Sequence, residues 1–492
     1  MQIKNLKLFL WMFMAAMVLS GVYIYGITLK ANGDNVEHLH TSWLIWQGYI
    51  PYKDFFQHHN PLTWYLSAPL VADLIDDIHI FEVFNIIGVM TLCLIAYYLG
   101  KIICLNGTGY FAALFTAAIT ISAYSLLWST DYRPDTFMYL FFFIGLYYLL
   151  LHIKENSLRS LVISFLCFFL SFMFTQKVLL NMLVPAGAVM YWLCTRQIKI
   201  KNCLFALILP VCLLTLFAGY LYSNDALDIY WRSNFLFNMH IPDIFGKHRI
   251  IFPPFEYIDF YIFIPIGSMA AIYFLYRGNY IEVIFSLMFI EETFLRMFYF
   301  SAFLHYVIFW LFTGIVLSVM FIGKFLPLKR PASLIGVIYL LFMLFYNYQM
   351  TYKREIGKRD LMHGHEYAFQ TLTPCDYAIN GYYSVYNLKA KDAGYYAILL
   401  GQIDVLGEKT GIAPRDDLNE LIRTQKPKLV SAGIYWDTYE EERGRKIAAH
   451  QISDYLLDTY YEYTGIGDIF VLKQQYQKRH CVYNGKAWEF MD

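Results

Sequence analysis

Long apolar runs separated by short polar loops fill the first 350 positions of the chain. They lie near 8–29, 83–104, 109–128, 136–152, 160–175, 178–194, 203–222, 257–276, 280–298, 302–323 and 332–349. A helix of about 20 residues spans a hydrocarbon core of about 30 Å, so the pattern predicts about eleven transmembrane helices. The first run is long for a removable signal peptide and lacks a small-residue cleavage pattern, so a retained anchor is expected. The runs at 160–175 and 178–194 would make one helix of about 50 Å if continuous, too long for a single crossing. A break at Gln176–Lys177 is therefore predicted.

Between the first two runs, Val36, Leu39, Trp43 and Trp46 recur at the spacing of a helix lying on an apolar surface. Gly48 and Pro51 should end that helix. Asn60–Pro61 reads as the cap and first-turn proline of a second helix running through Ala72. Two surface helices are thus expected within 33–78. After residue 350 the composition turns polar, with β-rich runs at 428–436 and 468–472 and helical patterns at 416–424 and 440–457. The predicted fold is a polytopic α-helical membrane domain over 1–349 followed by a soluble α/β domain over 350–492, a usual domain size.

Composition sharpens this picture. Hydrophobic residues make up 58% of the 492 positions and charged residues only 15%, against about 25% in soluble domains. Aromatic residues, at 19%, suit wide interfacial belts. Lys plus Arg equals Asp plus Glu at 38 each, so no basic excess points to nucleic acid. The distribution of cations does carry information. With the N-terminus inside, Lys4, Lys7, Lys101, Lys154, Arg159, Arg196, Lys199, Lys201, Arg277, Lys324, Lys329 and Arg330 all face the cytoplasm, as the positive-inside rule demands. Loops 30–82 and 223–256 and the tail then face outward. Cys375 and Cys481 fall in that tail, where an oxidising compartment permits a bridge, although no framework spacing demands one.

The candidate chemistry gathers on this outer face. Gly33–Pro61 holds Asp34, Glu37 and Asp54 with His38, His40, His58 and His59. A carboxylate there could take a proton from an acceptor hydroxyl, while Asp34 and Glu37 also have the spacing of a helix capping box. Ser129–Thr136 sets Asp131 and Asp135 around Arg133, whose planar fork suits phosphate oxygens. Lys177 at the helix break could contact phosphate or simply snorkel to the headgroups. Arg232, His240, Arg249, Arg296 and His305 are further anion-binding candidates, with Glu291 and Glu292 as structural partners for Arg296. A divalent metal on Asp34, Asp54 and the four histidines is conceivable, although no strong ligand spacing is present.

The acidic D-x-x-E pair at Asp34–Glu37, the run G-x-x-P-Y-x-D-F-F-x-H-H-x-P over Gly48–Pro61, the Arg-Pro-Asp turn at 133–135 and the Thr-Gln-Lys break at 175–177 resemble a known pattern. It is that of the bacterial family 39 type glycosyltransferases of the GT-C superfamily, whose relatives include protein O-mannosyltransferases and the lipid A aminoarabinose transferase. The resemblance covers roughly 1–349. It implies an inverting transfer of a sugar from a polyprenyl-phosphate donor to a glycan, lipid or protein acceptor at the outer face of the cytoplasmic membrane. Asp34 matches the family's catalytic acid and Glu37 its neighbour, while Arg133, Lys177 and Arg296 would hold the lipid phosphate. Asp54, His58, His59, Asp131, Asp135, Arg232 and His305 complete the substrate-binding candidates; no cofactor is required. Gln176 stands where relatives often carry proline. A polysaccharide polymerase or ligase remains an alternative, as does a flippase, although transporters usually place their charges at mid-membrane.

This orientation makes a direct prediction. An alkaline phosphatase reporter fused after Met350 should be active and a cytoplasmic reporter there silent; the reverse pattern would place the tail inside.

Overall fold

The computed structural model describes residues 33–75, 77, 79–121, 125, 132–245, 258–298, 307–326, 338, 342, 366–379, 390–394, 409–412, 417–431, 453–466, 469–477, 480–483 and 488–491. The expected spans at 8–29 and 332–349 lie outside them, apart from Ile338 and Phe342. Two compact units emerge. One combines 1–29, 82–217 and 245–352; the other combines 30–81, 218–244 and 353–492.

The first is an apolar helical bundle. Its elements are α3 (Ile80–Leu105), α4 (Tyr110–Thr120), α5 (Pro134–Glu155), α6 (Leu158–Phe174), α7 (Val178–Asn181), α8 (Leu183–Cys194), α9 (Ile200–Ser223), α12 (Ile258–Arg277), α13 (Tyr280–Phe298) and α14 (Val307–Phe325). Five of them, α3, α5, α9, α12 and α14, are long and apolar enough to cross a membrane. The chain is a multi-pass membrane protein. The break predicted at Gln176–Lys177 separates α6 from α7. Helix α9 is largely exposed, with Leu204, Ile208, Val211 and Leu216 among its uncovered apolar side chains. Such a surface is stable only in lipid.

Helix α14 is the core of the bundle, buried without interruption from Val307 to Met320. It packs on α4, α12 and α13, and its Phe309 and Phe312 meet Tyr139, Phe142 and Phe143 of α5. Because lipid tails are as apolar as the helices, close packing and interhelical hydrogen bonds drive association. Small residues permit both here. A Cβ on Gly267 of α12 would lie 2.9 Å from the Gly314 Cα of α14, and Ser318 donates across the same contact to the Phe263 carbonyl at 3.1 Å. Ser171 similarly ties α6 to the Met138 carbonyl of α5 at 2.7 Å.

At the end of the bundle where α12 passes to α13, Asn279 and Glu282 form a reciprocal cap. Asn279 Oδ1 accepts from the Ile281 and Glu282 N–H groups at 2.9 and 3.2 Å, and Glu282 Oε2 accepts from the Asn279 N–H at 2.8 Å. Asn106 joins them, donating to Glu282 Oε1 at 3.3 Å and accepting from Asn279 Nδ2 at 2.7 Å.

The second unit contains α1 (Gly33–Trp46), α2 (Leu62–Leu74), α10 (Leu227–Trp231), a π-helical segment at Arg232–Phe237, and α11 (Asn238–Phe245). The tail adds β1 (Tyr377–Ile379), β2 (Lys391–Asp392), α15 (Leu418–Gln425), β3 (Leu429–Ser431), α16 (Asp454–Tyr460), β4 (Tyr461–Tyr463) and β5 (Ile469–Leu472). Its sheet runs β2-β1-β3-β5-β4, with β1 parallel to β2 and β3 and the remaining pairs antiparallel. Strands β6 (His480–Tyr483) and β7 (Trp488–Met491) form a separate hairpin. Ala378, Leu429 and Ile469 anchor the sheet's core against Ala368 and Leu372. The predicted tail strands appear as β3 and β5. Of the predicted tail helices, Asp417 caps α15 by accepting from the Asn419 and Glu420 N–H groups, and α16 occupies the described end of the second.

The crossing of α12 and α14 generates a prediction. Gly267→Leu should destabilise the detergent-solubilised protein by about 1–3 kcal/mol through overpacking. Gly187→Leu, whose Cβ meets open space, should leave the melting temperature nearly unchanged. Equal losses would show that the close approach is unimportant.

Candidate functional site

In the second unit, α1 and α2 pack side by side and the segment joining them is folded tightly. Gly48 leaves α1 with φ +91°, and Tyr52 also takes a positive φ, of 70°. Tyr52 N–H bonds the Phe55 carbonyl at 2.9 Å, and its hydroxyl reaches the His59 carbonyl at 2.5 Å. Asp54 closes the turn from inside, its Oδ2 accepting from the Ile50 N–H at 2.7 Å. The Tyr49 hydroxyl is pushed above its ordinary pKa by burial, then by Tyr377 and Asp54.

Val36, Leu39 and Trp43 are buried as the spacing predicts, whereas Trp46 is 54% exposed. The polar face of α1 is buried as well, including Asn35, His38, His40, Thr41 and Ser42. Such groups require partners. Trp64 donates to His38 Nδ1 at 3.2 Å, which assigns the ring proton to Nε2. Ser42 pairs with Ser67 at 2.8 Å. Gln57 donates to Thr41 Oγ1 at 2.8 Å and to Glu37 Oε1 at 3.3 Å. Because α1 begins at Gly33, Asp34 lies within its first turn; the Asp34 side chain is outside the described residues. The N-cap position of α2 is Pro61, without a side-chain cap. Asn60, expected to cap, instead accepts from the Tyr230 hydroxyl at 2.8 Å, and burial raises that hydroxyl's pKa.

The histidines divide. His38, His58 and His59 cluster, with ring centroids 5.8 Å apart for His38–His59 and 4.1 Å for His58–His59, while His40 stacks on Trp43. Asn238 donates to the His58 carbonyl at 2.7 Å. Among the described residues, no group of three His, Cys, Asp or Glu side chains is arranged to hold a metal ion. Arg232 bonds Asp228 at 2.7 Å and the Gly411 carbonyl at 2.9 Å, fixing it against the tail. Asp131, Arg249 and His305 lie outside the described residues.

The membrane unit holds a second set of candidates. Arg133 occupies the N-cap position of α5, Pro134 follows at its first helical position, and Asp135 lies buried in the first turn. Lys177 Nζ is 3.4 Å from Asp135 Oδ1, both side chains being mostly buried. One helical turn beyond Lys177, Asn181 donates to Glu292 Oε1. The other Glu292 oxygen accepts from Arg296 at 2.8 Å, with the carboxylate side chain 1% exposed and the arginine 10%. Glu291 Oε2 is buried with no hydrogen-bond partner among the described residues. Asp135 with Lys177, and Asn181 with Glu292 and Arg296, are thus brought together along α7. Asn181 and Gln57 were not among the residues singled out from the sequence. A polar side chain four positions after Lys177, inside an apolar run, was the available signal for Asn181.

No family model matches the chain, and no curated protein matches its sequence. Among solved structures, it is similar to the crystal structure of ArnT from Cupriavidus metallidurans bound to undecaprenyl phosphate. The TM-score is 0.64 at 11% identity, covering 94% of this chain and 97% of that one. The chain has an ArnT-like fold. ArnT in the apo state matches with a TM-score of 0.57 at 11% identity, covering 91% of this chain and 97% of that one. The resemblance to GT-C enzymes drawn from the first loop and this likeness to ArnT agree on the fold.

Removing one partner of a buried ion pair strands the other charge, at about 3–5 kcal/mol. Arg296→Met should therefore destabilise strongly in detergent melts, and Glu292→Gln/Arg296→Met should recover much of the loss. Additive losses in the two single variants would show that the two residues do not act as a pair.

Proposed function

We propose that the chain is an inverting glycosyltransferase that moves a sugar from a polyprenyl-phosphate donor to an acceptor at the outer face of the cytoplasmic membrane. The observation that carries this reading is the ArnT-like fold over 94% of the chain. The first-loop pattern and the charges of the membrane unit support it independently. A disulfide at Cys375 favours an exported, oxidising location for the tail.

In this reaction the acceptor oxygen attacks the anomeric carbon while the bond from that carbon to the phosphate oxygen breaks. The acceptor proton passes to a carboxylate and the polyprenyl phosphate leaves with the bonding pair. Asp34 is the proposed base, a role worth about 10²–10⁴-fold, and Glu37, held by Gln57, orients the acceptor beside it. Charge growing on the leaving phosphate must meet preorganised cations, and such electrostatic stabilisation often contributes more to catalysis than any other effect.

The candidate cations are not equivalent. Arg296 is bound to Glu292 at 2.8 Å, within the range of a short charge-assisted bond of about 2.7–2.9 Å. Lys177 stands 3.4 Å from Asp135, a looser pairing. Lys177, at the break between α6 and α7, is the proposed primary contact, with Arg133 beside Asp135 as its partner.

Reconstitution with radiolabelled polyprenyl-phosphate sugars and a panel of acceptors tests the assignment. Asp34→Asn should lower transfer by about 100-fold or more while leaving donor binding intact. Lys177→Met should weaken donor binding itself. Full transfer by folded Asp34→Asn protein would remove Asp34 from the base role.

A further inference from the structure

The exported tail contains a cavity of about 460 Å³, inside the range of roughly 300–1,000 Å³ usual for small-molecule sites. It lies where α15 ends and where β1 and β3 begin. Asp376 and Lys428 come from the positions preceding those two strands, Arg423, Gln425 and Lys426 from the last turn and end of α15, and Tyr476 from the turn after β5.

The charges lining this cavity do not balance. Asp376 Oδ2 accepts from Lys428 Nζ at 3.1 Å and from the Thr373 N–H and hydroxyl, each at 2.7 Å. All three contacts fall on the same carboxylate oxygen. Arg423 and Lys426 have no carboxylate partner among the described residues. Lys426 instead lies over the rings of Tyr476 and Tyr460, at 5.2 and 5.5 Å. Cations at the end of a helix do favour its dipole. That effect does not account for Gln425, whose Oε1 is buried with no hydrogen-bond partner among the described residues. An unmet buried acceptor is costly, and a ligand hydroxyl in the cavity would meet it.

Two cations ask for an anion, a buried carbonyl asks for a hydroxyl, and the Tyr476 ring supplies an apolar surface on the lining. We propose that this cavity binds an acidic sugar, a saccharide bearing a phosphate or carboxylate group. Arg423 and Lys426 hold the anionic group, and Gln425 Oε1 accepts from a ring hydroxyl. The proposal concerns binding alone and stands whether or not the chain transfers sugars.

Calorimetry on the full chain in detergent, with glucose 6-phosphate, glucuronate, glucose and inorganic phosphate as probes, tests it. Both acidic sugars should bind saturably, and glucose and inorganic phosphate should each bind about 10-fold more weakly or not at all. Arg423→Ala/Lys426→Ala should weaken the acidic sugars by about 10-fold or more, and Gln425→Leu should bring glucose 6-phosphate down to the level of inorganic phosphate. Absence of saturable binding, tight binding of phosphate without the sugar, or binding unaffected by the double variant would overturn the proposal. Should the variants fail to fold, the unaltered protein gives the answer by amine acylation and mass spectrometry. Glucuronate should protect Lys426, leaving Lys391 as reactive as before; equal labelling of Lys426 with and without it would overturn the site.

Discussion

A charge placed among apolar helices has to be neutralised locally, and the membrane unit is organised around that requirement. Each ionised side chain at mid-bilayer costs about 2.5–3.5 kcal/mol on insertion scales. Helix α13 carries Glu282, Glu291, Glu292 and Arg296 within 19 residues. Its two ends solve the problem differently. At one, Glu282 is absorbed into a capping box with Asn279, the amide of Asn106 and an ion pair with Lys324 at 3.7 Å. At the other, Glu292 takes Asn181 on one oxygen and Arg296 on the second. The break after Phe174 makes this possible. Without it, α6 would run on as an overlong apolar rod; with it, Lys177 and Asn181 stand one turn apart, one meeting α5 and the other α13.

The loop-and-tail unit meets a different demand. Helix α1 buries apolar and polar faces alike, so its stability rests on how fully the polar atoms are paired. Gln57, Trp64 and Ser67 serve that end, and the taut segment from Gly48 to Asn60 delivers Gln57 to Thr41 and Glu37.

Five of the spans, α3, α5, α9, α12 and α14, were legible because lipid imposes a coarse rule that any apolar residue can satisfy, and the break at Gln176–Lys177 followed from length alone. Strand β5 and helix α15 were legible from local pattern. Harder to read was the interior of the first loop. A three-to-four stripe implied one buried face for α1, yet His38, Thr41 and Ser42 are buried too, because α2 and the joining segment cover the side that a lone surface helix would leave in water. Asn60 looked like a cap, but its side chain serves Tyr230, 170 positions away, a partner that no local pattern reveals. The pairing of Glu292 with Arg296 was visible as an i,i+4 spacing; its completion by Asn181 depended on which helices pack together.

An ArnT-like fold at 11% identity becomes understandable in these terms. Apolar positions in a bundle can exchange Leu, Phe, Ile and Val freely so long as volume and close approaches such as Gly267 against Gly314 are respected. Identity therefore decays fastest where most of the chain lies. Polar positions inside the bundle have no such freedom, because each needs a particular partner at a particular distance. The functional content of the membrane unit is thus concentrated in a few side chains. Arg296 is short-bonded to a carboxylate that Asn181 also holds. Lys177 stands 3.4 Å from Asp135 at the start of a four-residue helix, which fits its proposed role as a contact for the lipid phosphate.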